Sequence, residues 1–422
     1  MNKPDTKSGT YRWRIIALLF FATTINYIDR QIIGILKPFI ASDLEWSEAD
    51  YGYIVTAFQV AYAIGLLTTG RFLDKFGNRI GYAWAIVVWS VAGMAHAAAR
   101  GVISFAAARF ALGIGESANF PAAVKSVAEW FPKKERAFAA GLFNSGSTVG
   151  AIVAPVIVSG ITLTFGWQWA FIITGALGFI WIFFWLASYH IPQEHPKVSE
   201  GELQYILQDQ DETDHAESVG WINLFRHKET YAICSTRFIS DWVWWFFLFW
   251  IPDFLNKTHG IDIKEVVIPL ILIYSVSSVG GIAGGWMSSK FIQTGKSIDY
   301  ARKTTIIICA LIILPVTLVS QVQDLWTAVT LIAFAAAGHQ GWASNIFTLV
   351  SDIYPKNAVG SMMGLSGFAG AVGGALSASF IGLILESTGS YFLIFLTASS
   401  VYLINWLIIK VFIREIKPID RI

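Results

Sequence analysis

Charge is scarce in this sequence: 14% of its 422 residues are Asp, Glu, Lys or Arg, against roughly 25% in an ordinary soluble chain. With 55% hydrophobic residues, that shortage excludes a soluble globular protein and places the chain in the membrane class. Net charge is +1, so nothing electrostatic favours a nucleic-acid partner. The two cysteines, Cys234 and Cys309, both sit inside apolar runs and exclude a disulfide framework. No metal, phosphate-loop or nucleophile constellation is present, so neither a cofactor nor an enzymatic activity is expected. Gly113-x-Gly115 lies in an apolar segment without a nucleotide-type loop and reads as packing. A small-residue cleavage site is missing near the N-terminus, which reads as a short tail leading into a retained span.

Apolar sequence is what the chain has in abundance. Runs of about 20 residues suit spanning helices, and twelve are predicted: 13–38, 49–73, 80–98, 102–128, 137–162, 168–190, 231–255, 264–289, 302–321, 324–350, 358–385 and 390–413. Lys and Arg collect in alternate connections. With both termini inside, 21 of the 30 fall on the cytoplasmic side, among them Lys3, Lys7, Lys133, Lys134, Lys356 and Arg421. The opposite side keeps Lys37, Arg100, Lys257 and Lys264. The one long polar stretch, 191–230, carries Asp209, Asp211, Glu212, Asp214 and Glu217 among its acids. It reads as a solvated linker with one surface helix at 199–210. The expected organisation is an all-α membrane protein with a six-helix bundle at 1–190, a cytoplasmic linker at 191–230 and a second six-helix bundle at 231–422.

The halves echo each other. Glu129-Trp-Phe-Pro-Lys133 leads to Gly141-Leu142, and Asp352-Ile-Tyr-Pro-Lys356 leads to Gly364-Leu365, at an offset of 223 residues. Tandem six-helix halves build transporters whose site lies between the repeats.

Against this background the intramembrane charges stand out. Asn26-Tyr27-Ile28-Asp29-Arg30 lies deep in the first span, where a charge costs somewhere between roughly 2.5 and 17 kcal/mol depending on the method. Neighbours on one helix face different ways, so Asp29 and Arg30 are expected to find different partners. Arg109 and Glu116 are seven residues apart in another span and project from one face. Arg237 and Asp241, four apart, share a face and can pair with each other, although Asp241 is also placed to meet a cation of the first span. Lys125 and Glu129 have the same spacing and read as a gate bridge. These charges point to a water-accessible cavity opened alternately to either side.

Gly70-Arg-Phe-Leu-Asp74-Lys75-Phe-Gly77-Asn-Arg79 resembles the signature loop of the major facilitator superfamily. Further similarity lies in Asn26-Tyr-Ile-Asp-Arg30, Arg109-x6-Glu116-Ser-Ala-Asn119-Phe-Pro121, Glu129-Trp-Phe-Pro-Lys-Lys-Glu-Arg136 and His339-Gln-Gly-Trp-Ala-Ser-Asn345. Together these resemble the anion:cation symporter branch, in particular its bacterial hexuronate transporters. The resemblance implies that a sugar-acid anion enters with protons across a bacterial inner membrane, through a monomer. It implies Arg30 for the substrate carboxylate, Asp29 and Glu116 for protons, Arg109 as partner to Glu116, Tyr27 and Tyr62 facing substrate, and Asp74 with Arg79 in a gate. Ser147 and Gly367 stand where galactonate-type relatives have glutamine and asparagine, so the hexuronate subgroup fits better.

A hexuronate site needs a cation, hydroxyl partners and a flat surface. Arg30 offers a fork that matches a carboxylate. Trp245, in the aromatic run 242–250, is the candidate for stacking on the sugar. Gln340, Ser344 and Asn345 suit its hydroxyls, with Asn26, Asn144 and Ser147 completing the cavity. His339 reads as a hydrogen-bonded neutral side chain, and Gly364, Gly367, Gly370, Gly373 and Gly374 as packing positions. The expected activity is proton-coupled import of glucuronate or galacturonate. An exchanger or symporter of another organic anion, such as an aldonate, is the alternative.

Overall fold

A computed structural model describes residues 9–208 and 221–419. Asp209, Asp211, Glu212, Asp214 and Glu217 of the linker, together with Lys3, Lys7 and Arg421, lie outside the described residues, as do the side chains of Lys133, Lys134 and Lys356. Every regular element described is helical. The first part of the chain forms α1 (Tyr11–Leu44), α2 (Glu48–Ala95), α3 (Val102–Glu116), α4 (Asn119–Trp130), α5 (Lys133–Phe165), α6 (Trp167–Ser188) and the short α7 (Glu200–Leu207). Then follow α8 (Trp221–Leu224), α9 (Lys228–Phe249), α10 (Ile251–His259), α11 (Val267–Gln293), α12 (Ile298–Ile313), α13 (Leu325–Ile353), α14 (Lys356–Thr388) and α15 (Phe392–Phe412). Eight described helices are long and apolar enough to cross a membrane, or nine if the bent pair α9–α10 counts as one span.

The interruptions have local causes. Gly77 breaks α2 with a φ of 75°, a left-handed conformation that any side chain would strain. The predicted span 231–255 is split between α9 and α10, which meet at 56°. Pro252 has no N–H to give the carbonyl of Leu248 four residues back. The predicted span 102–128 is divided at Ser117–Ala118, immediately after Glu116. Pro38 sits inside α1 and deprives the carbonyl of Gly34 of its donor in the same way. Gly34 itself is pressed against α9, where a Cβ would stand 2.7 Å from the carbonyl oxygen of Leu248. The linker helix α7 is shorter than expected and is capped by Ser199, whose hydroxyl accepts from the Glu202 N–H. Beside it, burial holds the imidazole of His195 below its ordinary pKa.

The described residues form two compact units, 9–32 with 61–208, and 33–60 with 221–419. In the first, α5 lies on α1 through glycine: a Cβ on Gly146 would stand 2.4 Å from the Phe20 carbonyl, and one on Gly150 2.6 Å from that of Thr24. In the second, Gly280 and Gly284 of α11 meet Ala337 and Gly341 of α13 backbone to backbone. Of the α14 glycines, Gly370 and Gly373 are packing positions, since a Cβ would stand 2.1 Å from Asp241 Oδ2 and 2.0 Å from the Phe238 carbonyl, whereas Gly364 faces open space and a Cβ on Gly367 would meet only Arg237, at 3.6 Å.

Candidate functional site

The first unit collects its charges around Arg30 of α1. Just over one turn of that helix brings Asn26, Tyr27 and Arg30 to one region, and the end of α3 brings Glu116 to meet them. The Arg30 Nε donates to Glu116 Oε2 at 2.8 Å, and Nη2 is also 2.8 Å from that oxygen. Nη2 donates in addition to Asn26 Oδ1 at 3.1 Å. The rings of Tyr27 and Tyr62 each lie 4.9 Å from the guanidinium carbon, so the cation is held between two aromatic faces. Arg30 is 2% exposed and Glu116 is fully buried. Glu116 is the last residue of α3, where the negative end of the helix dipole calls for a cation, and Arg30 supplies it. Glu116 Oε1 and Asn26 Nδ2 are buried without a hydrogen-bond partner. One carboxylate oxygen and one amide of the cluster therefore remain open to a further ligand.

This corrects one expected pairing. Helical spacing puts Arg109 and Glu116 on one face, yet the hydrogen-bonded ion pair of Glu116 is with Arg30. Arg109 instead donates from Nη2 to the backbone carbonyl of Arg30 at 3.1 Å and acts on Asp29 and Glu116 through its charge. Asp29 faces away from Arg30, as expected of neighbours, towards Thr174 of α6. Thr174 was not foreseen, and neither was the chain Tyr82 to Asn119 to Thr23. There the Tyr82 hydroxyl donates to Asn119 Oδ1 at 2.5 Å, and Asn119 Nδ2 donates to Thr23 Oγ1 at 3.3 Å. An isolated tyrosine or threonine in an apolar run carries no spacing signal. On α5, Ser147 neighbours Tyr27 while donating to the Asn144 carbonyl at 2.7 Å, and Asn144 itself is exposed.

At one end of this unit Lys125 donates to Asp74 Oδ1 at 2.6 Å and to the Leu73 carbonyl at 3.2 Å. The acid paired with Lys125 is thus Asp74 and not the Glu129 that spacing suggested, and Glu129 accepts from the hydroxyl of Tyr189. Arg79 donates to the Leu186 carbonyl at 2.7 Å. A counterpart exists in the second unit, where Arg302 donates to Asp352 at 2.7 Å and to Ser288 at 2.7 Å. Arg302 and Asp352 stand at the 223-residue offset from Arg79 and Glu129.

The second unit holds the remaining candidates. Trp245 stacks on Phe249 at 5.8 Å and meets Phe58 edge-on. Gln340 is half-buried. Asn345 is 1% exposed; its amide donates to the carbonyls of Gly284 and Gly341, while its Oδ1 is buried without a hydrogen-bond partner. It fastens α11 to α13, and Ser344 does the same through the carbonyls of Gly281 and Gly341. Arg237 and Asp241 pair with each other at 2.8 Å, with Ser366 as a further acceptor at 3.2 Å. His339 is within 2.5 Å of the Tyr402 hydroxyl and stacks on Trp244.

A charged knot in this unit was missed. Lys37, counted with the charges of the non-cytoplasmic side at the end of the predicted span 13–38, lies well inside α1 and is 1% exposed. Its Nζ donates to Asp253 Oδ2 at 2.5 Å and to Glu48 Oε2 at 2.6 Å, above the ring of Tyr51. Lys257 reaches the same two acids, and Tyr391 donates to Asp253 at 2.5 Å. The predicted span stops at residue 38, and α1 runs on to Leu44 instead.

Among the described residues no cluster of His, Cys, Asp and Glu is arranged to hold a metal. A groove of about 680 Å³ between α2 and α3 is lined by valines and alanines with Ser104, without a charge to hold an anion.

The sequence matches the Major Facilitator Superfamily over residues 19–298. It is 31% identical to a hexuronate transporter of Escherichia coli (strain K12), over 90% of this chain and 88% of that protein. A galacturonate transporter of Dickeya chrysanthemi is 33% identical over 72% of this chain and 89% of its own length. A probable galactarate/D-glucarate transporter of Bacillus subtilis (strain 168) is 30% identical, over 92% and 89%. Among solved structures, the D-xylose-proton symporter superposes with a TM-score of 0.74 at 14% identity, covering 97% of this chain and 98% of that one. A bacterial homologue of the human lysosomal transporter Spinster, inward-facing and unoccupied, gives 0.73 at 17% identity, covering 97% and 96%. The fold is that of these transporters, and the chain belongs to the Major Facilitator Superfamily, a family of membrane transporters and not of enzymes.

Proposed function

We propose that this protein imports a hexuronate-type sugar acid together with protons, by alternating access, across a bacterial inner membrane. In this reading twelve spans cross the bilayer and both termini are cytoplasmic, in keeping with the distribution of Lys and Arg. The observation that carries it is the fork of Arg30, held between Tyr27 and Tyr62 and occupied by Glu116. A substrate carboxylate and the Glu116 carboxylate compete for the same cation. Protonation of Glu116 removes its negative charge and leaves Arg30 to the substrate, so a proton and an anion bind better together than apart. Asn26 orients the guanidinium, and the tyrosine rings flank the bound anion. Asp29 carries a second proton on the opposite side of α1. Trp245 and Gln340 are the proposed sugar contacts of the second unit, and Asp74–Lys125 with Arg79 and Glu129 forms a gate.

Purified protein titrated with glucuronate and galacturonate tests the assignment. Arg30→Ala is expected to abolish binding, and unchanged affinity refutes the carboxylate site. The names of the three relatives favour a sugar acid over other anions. A symporter or exchanger of an aldonate is the second reading, favoured if galactonate alone stabilises the purified protein against heat.

A further inference from the structure

Asp29 is the charged group that the Arg30–Glu116 pair leaves aside. Both of its oxygens are buried without a hydrogen bond of ordinary geometry. Thr174 of α6 faces it, and Arg109 and Glu116 of α3 are its charged neighbours. Nearby is a second buried titratable group for which substrate binding has no use. His96, in the tight turn His96–Ala98 that follows α2, is fully buried. Its Nδ1 lies 2.8 Å from the Ala92 carbonyl and 3.1 Å from that of Gly93. A carbonyl only accepts, so Nδ1 carries the hydrogen and Nε2 presents a bare lone pair. That lone pair is buried and has no partner.

Two helices independently measure the gap between His96 and Asp29. On α6, the His96 ring stacks on Phe171 at 4.9 Å, and Thr174, which faces Asp29, lies three residues further, about 4.5 Å along the axis. On α3, His96 meets Phe105 edge-on, and Arg109 follows four residues later, about 6 Å along. Arg109 is the charged neighbour of both His96 and Asp29. Along both helices the contacts of His96 and those of Asp29 are about one turn apart, and the Thr174 hydroxyl, which faces Asp29, is likewise buried without a hydrogen bond of ordinary geometry. Buried polar groups are normally satisfied, and several unsatisfied ones within one turn fit the hydrogen-bonding needs of water. Beyond His96 the chain turns through residues 99–101, where Arg100 is exposed.

We propose that His96 anchors the water through which protons enter and leave Asp29, along a route from the 99–101 loop that is separate from the substrate's contact at Arg30. A water held by Nε2 and the Thr174 hydroxyl passes one proton to the Asp29 carboxylate and takes another from the water behind it. Release reverses these transfers. His96 is a positioning residue and never needs to become charged.

The inference rests on proton-coupled import, and the test separates the two. The protein in lipid vesicles is assayed for glucuronate uptake driven by a pH gradient, and for exchange of labelled against unlabelled glucuronate without one. His96→Phe keeps a ring against Phe171 and removes the acceptor. It is expected to slow gradient-driven uptake about tenfold, the effect of one lost hydrogen-bond partner, and to flatten its pH profile while exchange stays at the wild-type rate. His96→Gln restores an acceptor and should recover most of the driven rate. Wild-type driven kinetics in His96→Phe overturn the route, and so does a parallel loss of uptake and exchange that Gln does not repair. Exchange without any gradient-driven uptake in the unmodified protein refutes proton coupling itself, and the route with it.

Discussion

Arg30 and Lys37 are two cations of one helix, seven residues apart, and their surroundings differ in kind. Lys37 sits in a closed network: Asp253 takes Lys37, Lys257 and Tyr391, while Glu48 takes both lysines. Arg30 sits in an open one, where Glu116 keeps one oxygen without a partner and Asn26 keeps a free amide. A saturated buried network holds structure together, because any single deletion strands a charge. An unsaturated one can trade partners, which is what a binding site requires. The side chains agree with this division: the planar fork of arginine suits a carboxylate, and the point charge of lysine suits a cage of several acids.

The largest expected effect separates the two regions at once. Arg30→Ala should reduce sugar-acid uptake a thousandfold or more, about 4 kcal/mol, measured as kcat/KM in vesicles. A residual rate within tenfold of wild type would place the substrate elsewhere. Lys37→Met leaves Asp253 and Glu48 to the half-exposed Lys257 alone and should destabilise the protein by about 3 kcal/mol, seen as a lowered Tm in detergent. Adding Asp253→Leu and Glu48→Met should recover much of that loss, and no recovery would mean that the charges do more than pair. Glu116→Gln should leave Tm within a few degrees yet abolish acceleration of uptake by external acid, with labelled exchange preserved. Full accumulation under a pH gradient in this variant removes Glu116 from the coupling. Asn345→Ala gives the smallest effect, a stability loss of about 1 kcal/mol with KM unchanged, because its amide serves the backbone carbonyls of Gly284 and Gly341. A tenfold rise in KM would return it to the sugar site.

The sequence exposes what is costly and hides what is shared. Arg30, Asp29, Arg109 and Glu116 are legible because charge in an apolar run demands a reason. Their pairing is not, since spacing relates residues of one helix only and the partner of Glu116 comes from α1, 86 positions away in sequence. The same limit applies at Lys125, whose acid, Asp74, lies in a different helix from the Glu129 that spacing suggested. Asn345 has the chemistry of a sugar ligand and of a helix fastener alike, and only packing against Gly284 distinguishes them. Lys37 is hidden because a lysine one residue from the end of an apolar run reads as a boundary charge, and its acids come from α2 and α10. The apolar runs themselves were readable to within a few residues at most ends, since burial in lipid leaves the backbone no alternative to helix.

The proline inside α1 has a mechanical meaning. Between Arg30 and Lys37 the carbonyl of Gly34 lacks the donor that a continuous helix would give it, because Pro38 has none. A helix bends most easily where one rung of its ladder is missing. The rod that bears both cations is therefore short of one rung between them, and a bend at that level would cost it no hydrogen bond.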